Sequence, residues 1–384
     1  MYSRWTALRT RANLVTQSSS CRRATPPILG SLLLLGPFVL HTQAGEADPA
    51  YRETAPCPCF SNHEGMMGPL VAVAPTDPRR LYVAGYETFC ASTNGGAAWT
   101  QTTPPPAPLS GGYPHADEIT VAPHDPKAVY WARQGLGVLR SLDGGKSWTN
   151  TLPASGPAAL ASAPDGRLFA AVTEWTESKK EFSSTTFWET KDGAESWRYD
   201  GYLPGVAALR ALPPGIKGEA CMVVSSPVTS TNISYVMRLG PHDEVTRSMR
   251  VVDPPLVSKD ISATLLRVPT GKASRLLYGG ANVVWMSDDD GKTWRPGQKL
   301  SPKSQEVVDS IALGKTAVYA TSGNTVYKSS DRGDTWSVFV VDPKPTRTVL
   351  SRLAVGRASS GRDVLYGASC EQLSCVLWTA EARK

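Results

Sequence analysis

Apolar residues in this chain come in short runs separated by turns rich in Pro, Gly and Asp, and the same run returns at long intervals. The clearest copy is Val71-Ala-Val-Ala-Pro-Thr-Asp-Pro-Arg-Arg-Leu-Tyr-Val-Ala84, matched by Ile119-Thr-Val-Ala-Pro-His-Asp-Pro-Lys-Ala-Val-Tyr-Trp-Ala132. Weaker copies begin near Ala159, Ala208, Thr264, Ile311 and Leu353, which makes seven copies. Each copy has one order: an apolar strand, a Pro or Gly turn, a second apolar strand ending in small residues, a third strand, a turn and a fourth. Four short strands per unit of 40–50 residues predict an all-β repeat protein and not a sandwich, which has no fixed long period.

A second motif sits at the turn after the third strand. It reads Ser92-x-Asn94-x-Gly96-x-x-Trp99, Ser141-x-Asp143-x-Gly145-x-x-Trp148 and Thr190-x-Asp192-x-Ala194-x-x-Trp197. It returns as Ser287-x-Asp289-x-Gly291-x-x-Trp294 and Ser329-x-Asp331-x-Gly333-x-x-Trp336. The hydroxyl and carboxylate at these offsets can bond backbone amides within the turn. The Gly accepts positive φ, and the Trp carries a large apolar surface to bury between units. Two copies lack the motif. The fourth turns through Gly240-Pro241-His242-Asp243, and the seventh ends at Val376-Leu-Trp-Thr-Ala-Glu381, its third strand.

The motif resembles the Asp-box of sialidase-like and sortilin-like β-propellers. The resemblance, with the repeat count, implies a seven-bladed propeller of four-stranded antiparallel blades. The missing last strand is expected from the segment around Tyr51–Phe60, which closes the ring. In Asp-box families the motif lies on the face away from the active site, so its residues are read here as structural.

Composition changes little except at the N-terminus. The formal charge of +6 comes mostly from residues 1–44, which hold Arg4, Arg9, Arg11, Arg22 and Arg23 and no acid. The remainder is nearly neutral, which excludes an electrostatic case for nucleic acid. The basic start precedes an apolar run, Ile28 to Leu40, and small residues at Thr42 and Ala44. That is the pattern of a cleaved export signal, and the run is shorter than the ~20 residues of a spanning helix. The expected organisation is a signal over 1–44, an N-terminal segment with the closing strand over 45–68 and a propeller over 69–384. The protein is expected to be secreted or periplasmic, monomeric, without a membrane span after cleavage.

In such a compartment cysteines are expected to oxidise. Cys370 with Cys375, and Cys57 or Cys59 with Cys90, are the expected pairs, and Cys221 is expected to be buried and unpaired. Cys57-Pro-Cys59 has no zinc-spaced companions, so no metal and no cofactor is expected.

Two functional classes remain. Gly111-Gly112-Tyr113-Pro-His115-Ala-Asp117-Glu118-Ile119 resembles the segment of xyloglucanase-type endoglucanases that bears one catalytic Asp, although Glu118 stands where that family has Gly. This implies a glycosidase using Asp117 with Asp309 or Asp260, two carboxyls flanking the scissile bond. A sialidase is disfavoured, because the nearest Arg-x-Pro, Arg267-Val268-Pro269, falls in an ordinary repeat. The favoured reading is a non-catalytic module, as in photosystem II assembly-factor-like propellers, that binds a protein or glycan on its loop face. The expected contacts are Tyr113, His115 and the longest insertion, with Trp175, Lys179, Lys180 and Phe182.

Overall fold

The computed structural model describes residues 51–59, 70–85, 88–106, 116–156, 158–162, 165–176, 181–204, 208–211, 220–226, 233–239, 250–251, 264–270, 274–280, 282–289, 293–301, 306–344, 348–349, 353–371 and 374–382. Among them every regular element is a strand, and no helix is long and apolar enough to cross a membrane. Residues 1–44, the expected signal, lie outside the described residues, as do His63 and His242.

Six four-stranded antiparallel sheets follow one another along the chain, each with its strands in sequence order. Blade I comprises Leu70–Ala74, Asp77–Ala84, Phe89–Ser92 and Thr100–Thr102. Blade II comprises Ala116–Val121, Val129–Arg133, Gly137–Ser141 and Thr149–Pro153. Blade III holds Ala158–Ser162, Leu168–Thr176, Glu181–Thr190 and Arg198–Pro204, and blade IV holds Ala208–Ala211, Ala220–Ser226, Ile233–Leu239 and Arg250–Val251. Blades V and VI run from Thr264–Pro269 to Arg295–Lys299 and from Val308–Leu313 to Ser337–Val341. Cys221 lies in the second strand of blade IV, and its side chain is outside the described ones.

The expected count of seven such blades is therefore corrected to six. The rest of the chain forms a five-stranded sheet of different build. Asp363–Glu371 pairs with both Thr348–Val349 and Ala354–Arg357 on one side, so the first strand is split in two. On its other side Ser374–Glu381 pairs with the two-residue strand Arg52–Glu53. Of the segment expected over Tyr51–Phe60, Arg52 and Glu53 pair with the last long strand among the described residues, and the Thr54 amide adds a bond to the Leu377 carbonyl at 2.9 Å.

The core lies in layers between consecutive sheets. Leu70, Ala72, Tyr82 and Phe89 of blade I pack on Val121, Val129, Trp131 and Leu139 of blade II. Blades II and III share Tyr130, Val138, Leu160 and Leu168, and blades V and VI share Leu277, Met286, Val318 and Tyr327. Blade I also packs through Val71, Leu81 and Val83 on Tyr366, Ala368 and Leu377 of the terminal sheet. This stacking explains the runs of consecutive apolar residues: Val129–Arg133 is buried along its whole length, whereas the fourth strand of blade I is mostly exposed.

The recurring turns have one geometry. Ser141 Oγ donates to Asp143 Oδ1 at 2.8 Å and accepts from the Gly145 amide at 2.8 Å. Asp143 then accepts from the Ser147 amide and hydroxyl at 3.0 and 2.6 Å. The same set recurs at Thr190 and Asp192 and at Ser329 and Asp331, and at Ser92 and Asn94 without the hydroxyl, since Ala98 stands in its place. Ser287 donates to Asp289 at 2.8 Å, while Gly291 is outside the described residues. Burial pushes the Asp143 carboxyl up, but hydrogen bonds from Ser147, Ser141 and the Lys146 amide outweigh it and hold it at about 2. At Asp192, hydrogen bonds led by Ser196 and Thr190 hold the carboxyl well below its usual range.

The tryptophans of these turns reach back to the preceding unit. Trp148 meets Phe89 of blade I edge-on at 4.7 Å between centroids, and Trp197 Nε1 donates to Thr151 of blade II at 3.4 Å. Trp99 Nε1 donates to the Ala55 carbonyl of the N-terminal segment at 3.2 Å. Trp336 is buried in the layer between blades V and VI. Trp294 stands edge-on to Tyr278 of its own blade at 6.1 Å. At Trp99, Trp148, Trp197 and Trp336 the turn thus packs on what precedes its blade, whereas Trp294 packs within its own.

Candidate functional site

Because the strands of each blade are consecutive and antiparallel, the turns fall at two ends. The recurring turns join third to fourth strands and share one end with the turns joining first to second. The connections from second to third strand, and from each fourth strand to the next blade, lie at the other end. The features that could hold a ligand gather there.

An open cleft of about 400 Å³ is lined by Gly135, Leu136, Asn150, Pro153, Ala154, Ser155 and Glu174. Its floor is held by the turn and outer strand of blade II: Asn150 Nδ2 donates to the Leu136 carbonyl at 2.7 Å, and the Ala154 amide to the same carbonyl at 3.2 Å. Ser155 Oγ donates to Glu174 Oε2 at 2.8 Å, which ties the blade II–III connection to blade III. The lining is largely apolar or backbone, with one carboxylate at its edge.

Glu174 stands at the base of the insertion singled out in the sequence. That insertion is for the most part strand. Thr173 pairs with Thr185, Trp175 with Phe182 and Thr176 with Glu181, with a register shift between Glu174 and Trp175. The two strands, of nine and ten residues, are longer than the second and third strands of the other four-stranded blades. Threonines and aromatics on both arms account for this, since both favour the extended backbone. Lys179 and Lys180 lie outside the described residues, as do Tyr113 and His115; Trp175 and Phe182 are placed by their backbones.

The candidate carboxylates occupy one repeat position. In blade II the register shifts between Ala116 and Glu118, so Asp117 is the extra residue of a bulge. In blade VI it shifts between Val308 and Ser310, which makes Asp309 the extra residue. A bulge re-aims the side chain it carries. Asp309 is half-buried; the Asp117 side chain is outside the described ones, and Asp260 is outside the described residues altogether. The two stand on blades II and VI.

The residue after each bulge joins neighbouring inner strands, which sequence reasoning missed. Glu118, buried, accepts from the Leu160 amide of blade III at 3.0 Å, and Ser310 accepts from the Leu353 amide at 2.9 Å. The signal for Glu118 was there: a carboxylate opening an otherwise apolar run. Asp363, also buried, was missed; it accepts from the Lys315 amide at 2.9 Å and the Tyr319 hydroxyl at 3.1 Å. Burial, with Asp363 beside it, pushes the Tyr319 phenol up.

Cys370 and Cys375 are disulfide-bonded, with Cα atoms 4.1 Å apart, and so are Cys59 and Cys90, 5.9 Å apart. The sulfurs of Cys57, Cys59 and Cys90 all lie within 4.8 Å of one another. Two of the three are consumed by their own bond, so with that disulfide formed these three do not make a thiolate set.

Similarity to solved structures agrees with this arrangement. YCF48 bound to D1 peptide superposes with a TM-score of 0.54 at 16% identity, over 88% of this chain and 97% of that one. The fold is a β-propeller. The GH74 xyloglucanase from Xanthomonas campestris superposes on this propeller with a TM-score of 0.53 at 15% identity, over 78% of this chain and 50% of that one. In sequence, 74 residues are 34% identical to vacuolar protein sorting/targeting protein 10 of Clavispora lusitaniae; they are 19% of the propeller chain and 5% of that protein. No protein-family model matches.

Proposed function

We propose that this chain is an exported, non-catalytic propeller that binds a segment of a protein partner, or a glycan, at the end of the sheets opposite the recurring turns. The observation that carries the reading is the long hairpin of blade III with Glu174 at its base, set against an open, mostly apolar cleft. A cleft of this character with few polar groups suits an extended ligand better than a small charged one. A propeller of similar fold has been seen bound to a peptide, which supports a peptide-binding use. The recurring turns are Asp-boxes with a structural role, residues 1–44 direct export, and Arg52–Glu53 closes the ring through the terminal sheet. The test is capture of partners from the host envelope by wild type and by a variant with Trp175, Lys179, Lys180 and Phe182 all changed to Ala. Loss of the captured set at unchanged melting temperature is expected; an identical set would overturn the reading.

A second reading rests on the two bulges: Asp117 and Asp309 are each the extra residue where an inner strand begins. In it the propeller hydrolyses a glycan with these carboxyls. Turnover of β-glucans or sialosides that Asp117→Ala abolishes would establish it over the first.

A further inference from the structure

The fourth strand of each blade is the last of its sheet, so among the described residues one side of its backbone meets no further strand of that sheet. Such an edge is a template for another extended chain unless something blunts it. Five of the six outer strands are blunted. Thr100–Thr102 is three polar residues, Arg250–Val251 is two residues, and Thr149–Pro153 ends in Pro. Arg198–Pro204 and Arg295–Lys299 each hold two charges, a Gly and a Pro. Ser337–Val341 of blade VI has no charge, no Gly and no Pro, and four of its five residues are Val or Phe, which favour strands.

That strand also shows apolar surface to solvent. Val338 is 61% exposed and Val341 is 47% exposed, and among the described residues no other strand carries two exposed large apolar side chains. Their partners on the third strand, Tyr327 and Thr325, are two residues apart, so both valines point to one face. Phe339, the extra residue between them, is buried in the layer shared with the terminal sheet. The strand is held at both ends. The Trp336 amide donates to Gln298 Oε1 of blade V at 2.9 Å, and the Asp342 amide donates to the Asn324 carbonyl at 2.9 Å.

We propose that this edge pairs antiparallel with the same strand of a second copy of the chain, about a two-fold axis between Phe339 and Val340. In that register Val338 of each copy lies opposite Val341 of the other. Because both valines point to one face, the four cover one another. Charge selects the same occupant. A strand without charges meets no like charge when it faces itself, whereas Arg295–Lys299 paired in this way would set Arg295 against Lys299. A five-residue edge is small beside a standard interface, so the dimer is weak and forms with rising concentration.

Sedimentation equilibrium of the full chain over a wide concentration range tests this, and a monomer–dimer equilibrium is expected. Val338→Lys is expected to weaken association about tenfold at unchanged melting temperature, since the side chain is exposed. Val338→Lys combined with Val341→Glu sets opposite charges face to face in the same register and is expected to recover the dimer. Val338→Lys combined with Val341→Lys is expected to abolish it. A wild type that stays monomeric at every concentration would overturn the proposal, as would a dimer that neither lysine variant weakens. A Lys–Glu variant no tighter than Val338→Lys alone would overturn the two-fold register.

Discussion

At Gly145 the backbone has φ +88°, and a methyl group there would lie 2.0 Å from Phe89 Cε1 of blade I. At the equivalent position of blade III stands Ala194, at φ +64° and fully buried. The difference lies in the preceding blade: the place of Phe89, three residues before the turn Ser, is taken in blade II by Val138, which packs in one cluster with Ala194. Gly145→Ala is expected to cost about 2–5 kcal/mol, from left-handed backbone and overpacking together. Adding Phe89→Val should make the double variant less destabilised than the sum of the singles, which urea unfolding of all three variants would measure. The Gly was legible in the motif; the partner that makes it obligatory was not, because it comes from a different repeat. Asp143 gives a pH prediction. Its carboxyl is depressed to about 2, so its contribution is complete above the unfolded value of about 3.9 and is lost as the pH falls toward 2. Asp143→Asn should lower stability at neutral pH and flatten the acid limb of a melting-temperature profile.

Between elements, the ties that matter are those that cross from one blade to the next. Arg275 of blade V donates to Asp288 at 2.6 Å and to Asp334, on the turn of blade VI, at 2.7 Å. Arg295 adds a second bond to Asp334 at 2.7 Å. The Arg275 side chain is only 13% exposed, so the pairing is better shielded than an open surface bridge. Arg275→Ala should cost about 1–2 kcal/mol, with a smaller difference from wild type in high salt, as read by melting at two ionic strengths. The hairpin of blade III belongs to this scale too. Replacing residues 177–180 by a two-residue turn should abolish partner capture without shifting the melting temperature. Sequence reading found the insertion by its length but not that its arms are paired strands; the Thr and aromatic residues on both arms were the cue. The cleft beside it left no cue, because it is made where a turn of one blade meets a strand of the next.

For the molecule as a whole, repeat counting recovered the strand order within the four-stranded sheets. It failed at the terminal sheet, where a split first strand and a two-residue strand carry no periodicity. The pairing of Arg52 with Thr379 joins positions more than three hundred residues apart, beyond any local pattern. Tyr51 reinforces that union: its ring stacks on Trp378 at 5.8 Å, and its hydroxyl donates to Asp342 at 3.1 Å. Tyr51→Phe should cost about 1 kcal/mol and Tyr51→Ala about 2–4 kcal/mol, measured by denaturant unfolding.

The backward reach of the turn residues has a temporal side. As a chain emerges from the ribosome, Trp148 finds Phe89, and Trp197 finds Thr151, already synthesised, so each hairpin can dock on finished structure. Arg52 and Glu53 are in the opposite position: made early, they wait for the partners made last. Until Ser374–Glu381 is made, the cluster around Cys59 and Cys90 lacks Leu377, and Arg52 and Glu53 lack the strand they pair with.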